Sequence, residues 1–240
     1  MSARVLIIGA GGLGCPAAFA VAAAGVTCIG VVDDDRVDAG NLHRQFLHGA
    51  GDVGELKVVS LARALARRFP DLRVTTHAQR FDSASAGALA AAYDVVVDGT
   101  DNFAAKFLAN DAAVLAGKPL VHGAAVALHG QLLTVPAGGR PCYRCLFEEP
   151  PAPGVGPSCA EAGVLGPVPG VIGALQGCEA ARLALGKTPA FTGRLIQYDS
   201  AGMTVRVVPF KPNPLCGVCG PAPRIRVLAA SNYPAERCFV

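Results

Sequence analysis

The chain has 240 residues, 52% of them hydrophobic and 16% charged. That is enough material for one large domain or two small ones around a buried core, and it excludes an intrinsically disordered chain. A net charge of +3 with no Lys/Arg run implies no nucleic-acid partner.

Residues 5–32 carry no charge and follow Arg4, so a signal peptide or membrane helix has to be weighed first. The glycines up to Gly14 and then Pro16 break this run and suit strand, turn and helix better than a span of about 20 residues. No membrane partner is expected, and the expected location is cytoplasmic. VLII (5–8) reads as a strand, followed by a helix to about Ala24, and TCIGVVD (27–33) is the next strand. Leu56 to Phe69 is a helix stopped by Pro70, 73–79 a strand, Ala84 to Ala92 a short helix and 95–98 a strand. Asn102 to Ala116 is helical, and PLVHGA (119–124) is a buried strand. Strands alternating with helices predict an α/β, Rossmann-like, mostly parallel sheet with helices on both faces.

After Gln131 the character changes. QLLTV predicts a strand that leaves the parallel pattern. Residues 150–157, PPAPGVGP, are a loop, because prolines at that density fit neither helix nor central strand. Val171 to Leu185 is a helix, 194–199 and 204–208 form a terminal hairpin, and IRVLAA near the end reads as a late strand of unknown role. The expected organisation is a single domain over 1–240. It divides into a Rossmann-like nucleotide part (1–135), a loop and metal part extended by antiparallel strands (136–220), and a tail (221–240).

Gly9, Gly11 and Gly14 form G-x-G-x-x-G between a strand and a helix. The first permits the tight turn, the second a close approach of backbone to phosphate, and the third close helix packing, with free N–H groups left for an anion. Asp33 ends the second strand, where an acid meets ribose hydroxyls. Taken alone, this pattern says dinucleotide. DDDRVDAGNLHRQFLH argues otherwise, because it sets Asn41, Arg44 and Gln45 beside the ribose site, and Lys57 opens the next helix. Two cations near a phosphate turn suit a triphosphate. VVVDGTDN adds Asp98, Asp101 and Asn102 at a parallel strand's carboxyl end, where Mg²⁺ would sit on phosphate oxygens. The plainer alternatives are a solvated basic face and Asp101 as a helix N-cap.

Nine cysteines is a high count, and four of them form CYRC (Cys142, Cys145) and CGVC (Cys216, Cys219). Two C-x-x-C hooks in a cytosolic chain predict a closed, structural four-cysteine zinc subdomain rather than disulfides. Cys15, Cys28 and Cys178 lie in helix or strand patterns and are expected to be small core residues. Cys238 is a free thiol near the end, and the histidines, His43 included, show no metal spacing.

GAGGLGCPAA, DDDRVDAGNLHRQ, DGTDN, PCYRC, CAEAGVLGPVPGVIG and NPLCGVCG, in this order, resemble the ThiF/MoeB/HesA group of ubiquitin-activating-enzyme-like proteins over nearly the whole chain. The resemblance implies ATP–Mg²⁺-dependent adenylation of the C-terminal glycine of a ubiquitin-like sulfur carrier (ThiS/MoaD-like, ending in Gly-Gly). Pyrophosphate is released and the carrier is primed for a thiocarboxylate in thiamin, molybdopterin or related synthesis. It implies that Gly9, Gly11, Gly12 and Gly14 line the ATP site, that Asp33 binds ribose with Asp35 beside it, and that Asn41, Arg44, Gln45 and Lys57 meet the phosphates. Asp101 then holds magnesium, flanked by Asp98 and Asn102.

Cys159 stands where some family members bond covalently to the carrier. A half-buried structural thiol is the other reading. The candidate catalytic residues are thus Arg44, Lys57, Asp101 and Cys159. A homodimer, a separate sulfur-donor protein and a carrier platform around Phe191 to Val208 are also expected. One departure stands out. Family members begin with an extra helix whose Arg reaches the partner subunit's phosphates, and here Arg4 lies too close to the first strand to do so. That predicts either another source of the cation or weaker adenylation. The alternatives are the same chemistry on another carboxylate or a tRNA base, and a weakened nucleotide-binding relative. A Rossmann oxidoreductase would lack Arg44, Lys57 and the Cys hooks as a set.

Overall fold

The computed structural model describes residues 3–150 and 163–234. Near-continuous apolar runs make four of the parallel strands, β1 (Arg4–Ile8), β2 (Cys28–Val32), β4 (Val95–Asp98) and β5 (Leu120–Val126), while the edge strand β3 (Arg73–His77) is mostly polar and exposed. Antiparallel β6 (His129–Val135), β7 (Arg194–Asp199) and β8 (Thr204–Pro209) extend the same sheet. The order is β3-β2-β1-β4-β5-β6-β7-β8.

β1 shows why the central strands read as continuous apolar runs. Val5 and Ile7 enter one buried cluster with Ala17, Val21, Leu61, Leu65 and Ala180, while Leu6 and Ile8 enter the other with Leu89, Phe107 and Ala112. A strand whose two faces are both covered alternates between cores rather than between core and water. The covering helices are α1 (Gly14–Ala23), α2 (Lys57–Ala66), α3 (Ala86–Ala91) and α4 (Phe103–Leu115), with the short α5 (Tyr143–Leu146) and the long α6 (Pro167–Ala184). Among the described residues, no helix is long and apolar enough to cross a membrane.

Several expectations shift. α6 begins at Pro167, before the expected Val171, because Pro167 and Pro169 fall in the first turn, where a missing N–H costs no helical bond. β5 and β6 form a hairpin whose last pair is Val126 with His129. Its turn has Ala127 at φ 50 and carries no Gly or Asn signal. The Ala127 N–H donates to the Gly163 carbonyl, and the Ala127 carbonyl accepts from the Leu165 N–H, both at 2.9 Å. This tertiary clamp replaces turn chemistry.

IRVLAA is not a strand. Ile225 and Leu228 pack on the second cluster without a ladder, and the Tyr233 hydroxyl donates to Asp111 Oδ2 at 2.9 Å. Part of the tail therefore covers the α3–α4 face. Cys178 faces solvent rather than the core. Cys159, Cys238 and most of the PPAPGVGP loop lie outside the described residues.

Candidate active site

The sheet changes direction of build at β1, which pairs in parallel with β2 on one side and with β4 on the other. The turns after β1 and β4 therefore lie side by side, with the Gly99 N–H donating to the Ile8 carbonyl at 2.8 Å. Open α/β sheets place ligands in this kind of crevice. Gly9 has φ 92, and a Cβ there would meet the Gly99 carbonyl oxygen at 2.9 Å. At Gly14 a Cβ would collide with the Gly9 carbonyl. These two glycines let the first turn of α1 sit directly on the strand end.

Asp33 is part of this turn. Its Oδ2 accepts from the Ala10 N–H at 2.7 Å and its Oδ1 from the Asp35 N–H at 2.8 Å. Burial raises its carboxyl pKa, against the Ala10 amide and the charge of Lys57. Lys57 opens α2 with its side chain buried and its Nζ 2.6 Å from Asp35 Oδ2, a carboxylate that is itself exposed. The 3-10 turn Ala39–Asn41, capped by the Asp38 side chain, leads into Arg44 and Gln45. Gln45 is buried, with Nε2 3.5 Å from the place a Gly11 Cβ would take and an Oε1 that has no hydrogen-bond partner among the described residues. Arg44 runs beside Gly12, and its Nη1 lies 3.3 Å from His43 Nε2. The glycine turn, Asp33, Asp35, Arg44, Gln45 and Lys57 thus come together around one crevice. Arg4 lies at the far end of β1 with its Nε 3.8 Å from Asp94.

The acids after β4 divide. Asp101 is exposed, and Asn102, rather than Asp101, caps α4 by accepting from the Ala105 N–H at 2.9 Å. Asp98 is fully buried and does not open onto the crevice. Its Oδ1 accepts from the Thr100 N–H and hydroxyl at 2.9 and 2.6 Å. Its Oδ2 lies 2.6 Å from His122 Nδ1 and 3.5 Å from Lys106 Nζ. Burial alone would raise this carboxyl, but Lys106, His122 and Thr100 outweigh it and hold the group well below the usual carboxylate range. We expect Asp98→Ala to cost about 3–5 kcal/mol by leaving Lys106 buried without its anion. Urea unfolding measures this, and a loss under about 1 kcal/mol would contradict the buried pairing.

The second cluster is sulfur. The Sγ atoms of Cys142, Cys145, Cys216 and Cys219 all lie within 4.8 Å of one another. Cys142 is 3.5 Å from Cys216, and Cys145 is 3.3 Å from Cys219. The Cys142 N–H also points at Cys145 Sγ at 3.4 Å, the usual shape of a C-x-x-C hook. Four thiols this close cannot all ionise without a cation. Contact with Cys216 and burial push Cys142 up, while its hydrogen bond draws Cys216 down. The first hook is tied to α4. Arg144 pairs with Asp111 through Nε–Oδ1 and Nη2–Oδ2, both 2.9 Å, and the Tyr143 N–H donates to Asn110 Oδ1 at 2.9 Å.

Sequence reasoning missed the buried groups that brace the crevice. Gln176 Nε2 donates to the Asp98 carbonyl at 2.7 Å, Lys106 Nζ to the Gly123 carbonyl at 2.6 Å, and His48 bridges Ala10 and Ser60. Their only sequence signal is a polar residue inside an apolar run.

A switch-point glycine turn ringed by Arg and Lys, with a four-thiol hook on the same sheet, defines a Rossmann-like α/β protein whose crevice suits an anionic ligand. The ThiF family model matches residues 1–218, and the chain belongs to the ThiF family. It is 46% identical over 92% of its length to the SAMP-activating enzyme E1 of Haloferax volcanii, covering 81% of that protein. To the sulfur carrier protein adenylyltransferase of Thermus thermophilus it is 45% identical over 94%, covering 85%. To the adenylyltransferase and sulfurtransferase MOCS3 of Anopheles gambiae it is 46% identical over 94%, spanning 52% of that longer chain. The crystal structure of E. coli MccB matches with a TM-score of 0.81 at 22% identity, over 92% of this chain and 66% of that one, a likeness of fold.

Proposed function

We propose that this protein is an ATP-dependent adenylyltransferase that activates the C-terminal glycine of a ubiquitin-like sulfur carrier in the cytoplasm. The observation that carries the reading is the convergence of Arg44, Gln45 and Lys57 on the Gly9–Gly14 turn. Relatives named for adenylating a sulfur carrier and for activating SAMP, each about 45% identical, support the choice of substrate.

The chemistry asks little of the protein beyond placement and charge. A glycine carboxylate oxygen attacks the α-phosphorus, the bond to the bridging oxygen breaks, and pyrophosphate leaves with the electron pair. No protein nucleophile or proton is needed. The turn amides and the α1 N-terminus hold phosphate, and Asp33 has lone pairs left for ribose. Arg44 supplies a forked donor to the phosphates, while Lys57 moves from Asp35 toward them as a point charge. Asn41 and Gln45 complete the cradle, the Gln45 Oε1 finding a donor on the ligand or its water.

Asp101 fits a magnesium ion held mainly by phosphate oxygens, which typically takes one or two carboxylates. That ion would neutralise charge on the leaving group. Asn102 serves by capping α4 beside it. The four sulfurs fit a closed structural zinc, since a Zn–S bond of about 2.3 Å gives sulfur–sulfur edges of about 3.8 Å. Residues 1–135 form the ATP part and 136–220 the metal and carrier part. Of the tail, the described residues 221–234 help to cover α4. The working unit is a homodimer, with sulfur delivered by a separate donor protein.

ATP–pyrophosphate exchange with a carrier ending in Gly-Gly tests the activity. For Cys159, adenylation by Cys159→Ala with lost sulfur transfer places the thiol after activation. Full transfer leaves it a structural thiol.

A further inference from the structure

Outside the groups that would touch nucleotide, one buried side chain joins three of the segments that carry them. His48 is 5% exposed and sits between the Asn41–Gln45 segment, the glycine turn and α2. Its own N–H donates to the Gln45 carbonyl at 2.9 Å. Its Nε2 lies 2.9 Å from the Ala10 carbonyl, and its Nδ1 lies 2.8 Å from Ser60 Oγ, one turn after Lys57 on α2. Ser60 also reaches Asp52 Oδ2 at 2.9 Å. A carbonyl can only accept, so Nε2 carries a proton, and the one Ser60 hydroxyl proton is shared between Nδ1 and Asp52 rather than given to both at once.

The Ala10 peptide is therefore gripped at both ends: Asp33 takes its N–H at 2.7 Å and His48 meets its carbonyl. The next residues are Gly11 and Gly12, which have no side chains to fix their own direction. Of the other groups near the Ala10 carbonyl, the Cys15 thiol is a weak donor at 3.4 Å. The rigid imidazole has polar atoms on opposite edges and can hold two segments at a set separation.

We propose that His48 is a positioning residue for the phosphate subsite: it aims the Gly11–Gly12 amides and sets their distance from the Lys57 helix. The proposal rests on the nucleotide reading above. The test measures magnesium-ATP and adenosine affinities by calorimetry for the whole protein and three variants. His48→Ala should weaken ATP about tenfold or more, the scale of one buried hydrogen bond lost. Adenosine, which has no phosphate, should change less than about twofold. His48→Gln places an amide near the Nε2 position and should restore ATP to within about threefold. His48→Asn reaches only the Nδ1 position and should not.

Equal weakening of ATP and adenosine would mean a general packing role and overturn the proposal. So would wild-type ATP affinity in His48→Ala. If His48→Ala fails to fold, the Gln and Asn variants decide, and equal ATP affinity in those two overturns it. Failure of either variant to fold would also assign His48 to the core and overturn it. Wild-type protein that binds no ATP refutes the nucleotide reading itself, before any variant is compared.

Discussion

Arg44→Ala lowers carrier-dependent ATP–pyrophosphate exchange by about 10²- to 10³-fold, the usual loss when one preorganised donor to a developing negative charge is removed. The fold should survive. Arg44 is half-buried, and among the described residues its guanidinium pairs with no carboxylate; its contact is with His43 at 3.3 Å. Its removal orphans no buried partner, so the melting temperature should move by no more than about 2 °C. Lysine at this position should recover only part of the rate, because it cannot form the two parallel bonds that a guanidinium makes to phosphate. An Arg44→Ala variant with near-normal exchange would remove Arg44 from the phosphate site.

With the proposed zinc in the cysteine cluster, Cys216→Ser is expected to take the zinc-to-protein ratio from one toward zero and to lower the melting temperature by about 10 °C or more. Cys216 and Cys142 stand 3.5 Å apart yet lie on segments separated by α6 and the terminal hairpin. The cluster closes that long loop and caps the second core, where Cys142, Cys216 and Cys219 are themselves buried. With a ligand missing, Arg144 would lose the anchored hook that holds it against Asp111. Metal analysis and a thermal melt check this together. An unchanged metal ratio would remove zinc from the account, and a lost metal with an unchanged melt would make the site dispensable for stability.

Features whose steric or chemical demand is local were legible in the sequence. Gly9 and Gly14 answer a backbone demand that no other residue meets there, and the two C-x-x-C hooks declare a shared ligand chemistry through spacing alone. The β1 run was legible because a strand covered on both faces needs no alternation.

What depended on distant partners was not legible. Asp98 reads as a crevice acid by position, but Lys106 and His122 turn its carboxylate into the core, and neither residue announces that from the sequence. His48 looks like a stray polar residue until Ala10 and Ser60 are brought to its two nitrogens. The turn at Ala127 carries no turn residue because Gly163 and Leu165 hold it from outside. IRVLAA has the composition of a strand but joins no strand of the sheet; Ile225 and Leu228 instead pack singly onto the second cluster, while Val227 faces solvent.

The measurement that bears most directly on the central claim is exchange of labelled pyrophosphate into ATP by the purified protein, with and without a ubiquitin-like sulfur carrier ending in Gly-Gly. The account predicts exchange that requires ATP, a divalent cation and the intact terminal glycine, and that disappears when that glycine is deleted. Tight ATP binding with no exchange for any such carrier would contradict it, and would leave a crevice that holds nucleotide without activating a carboxylate.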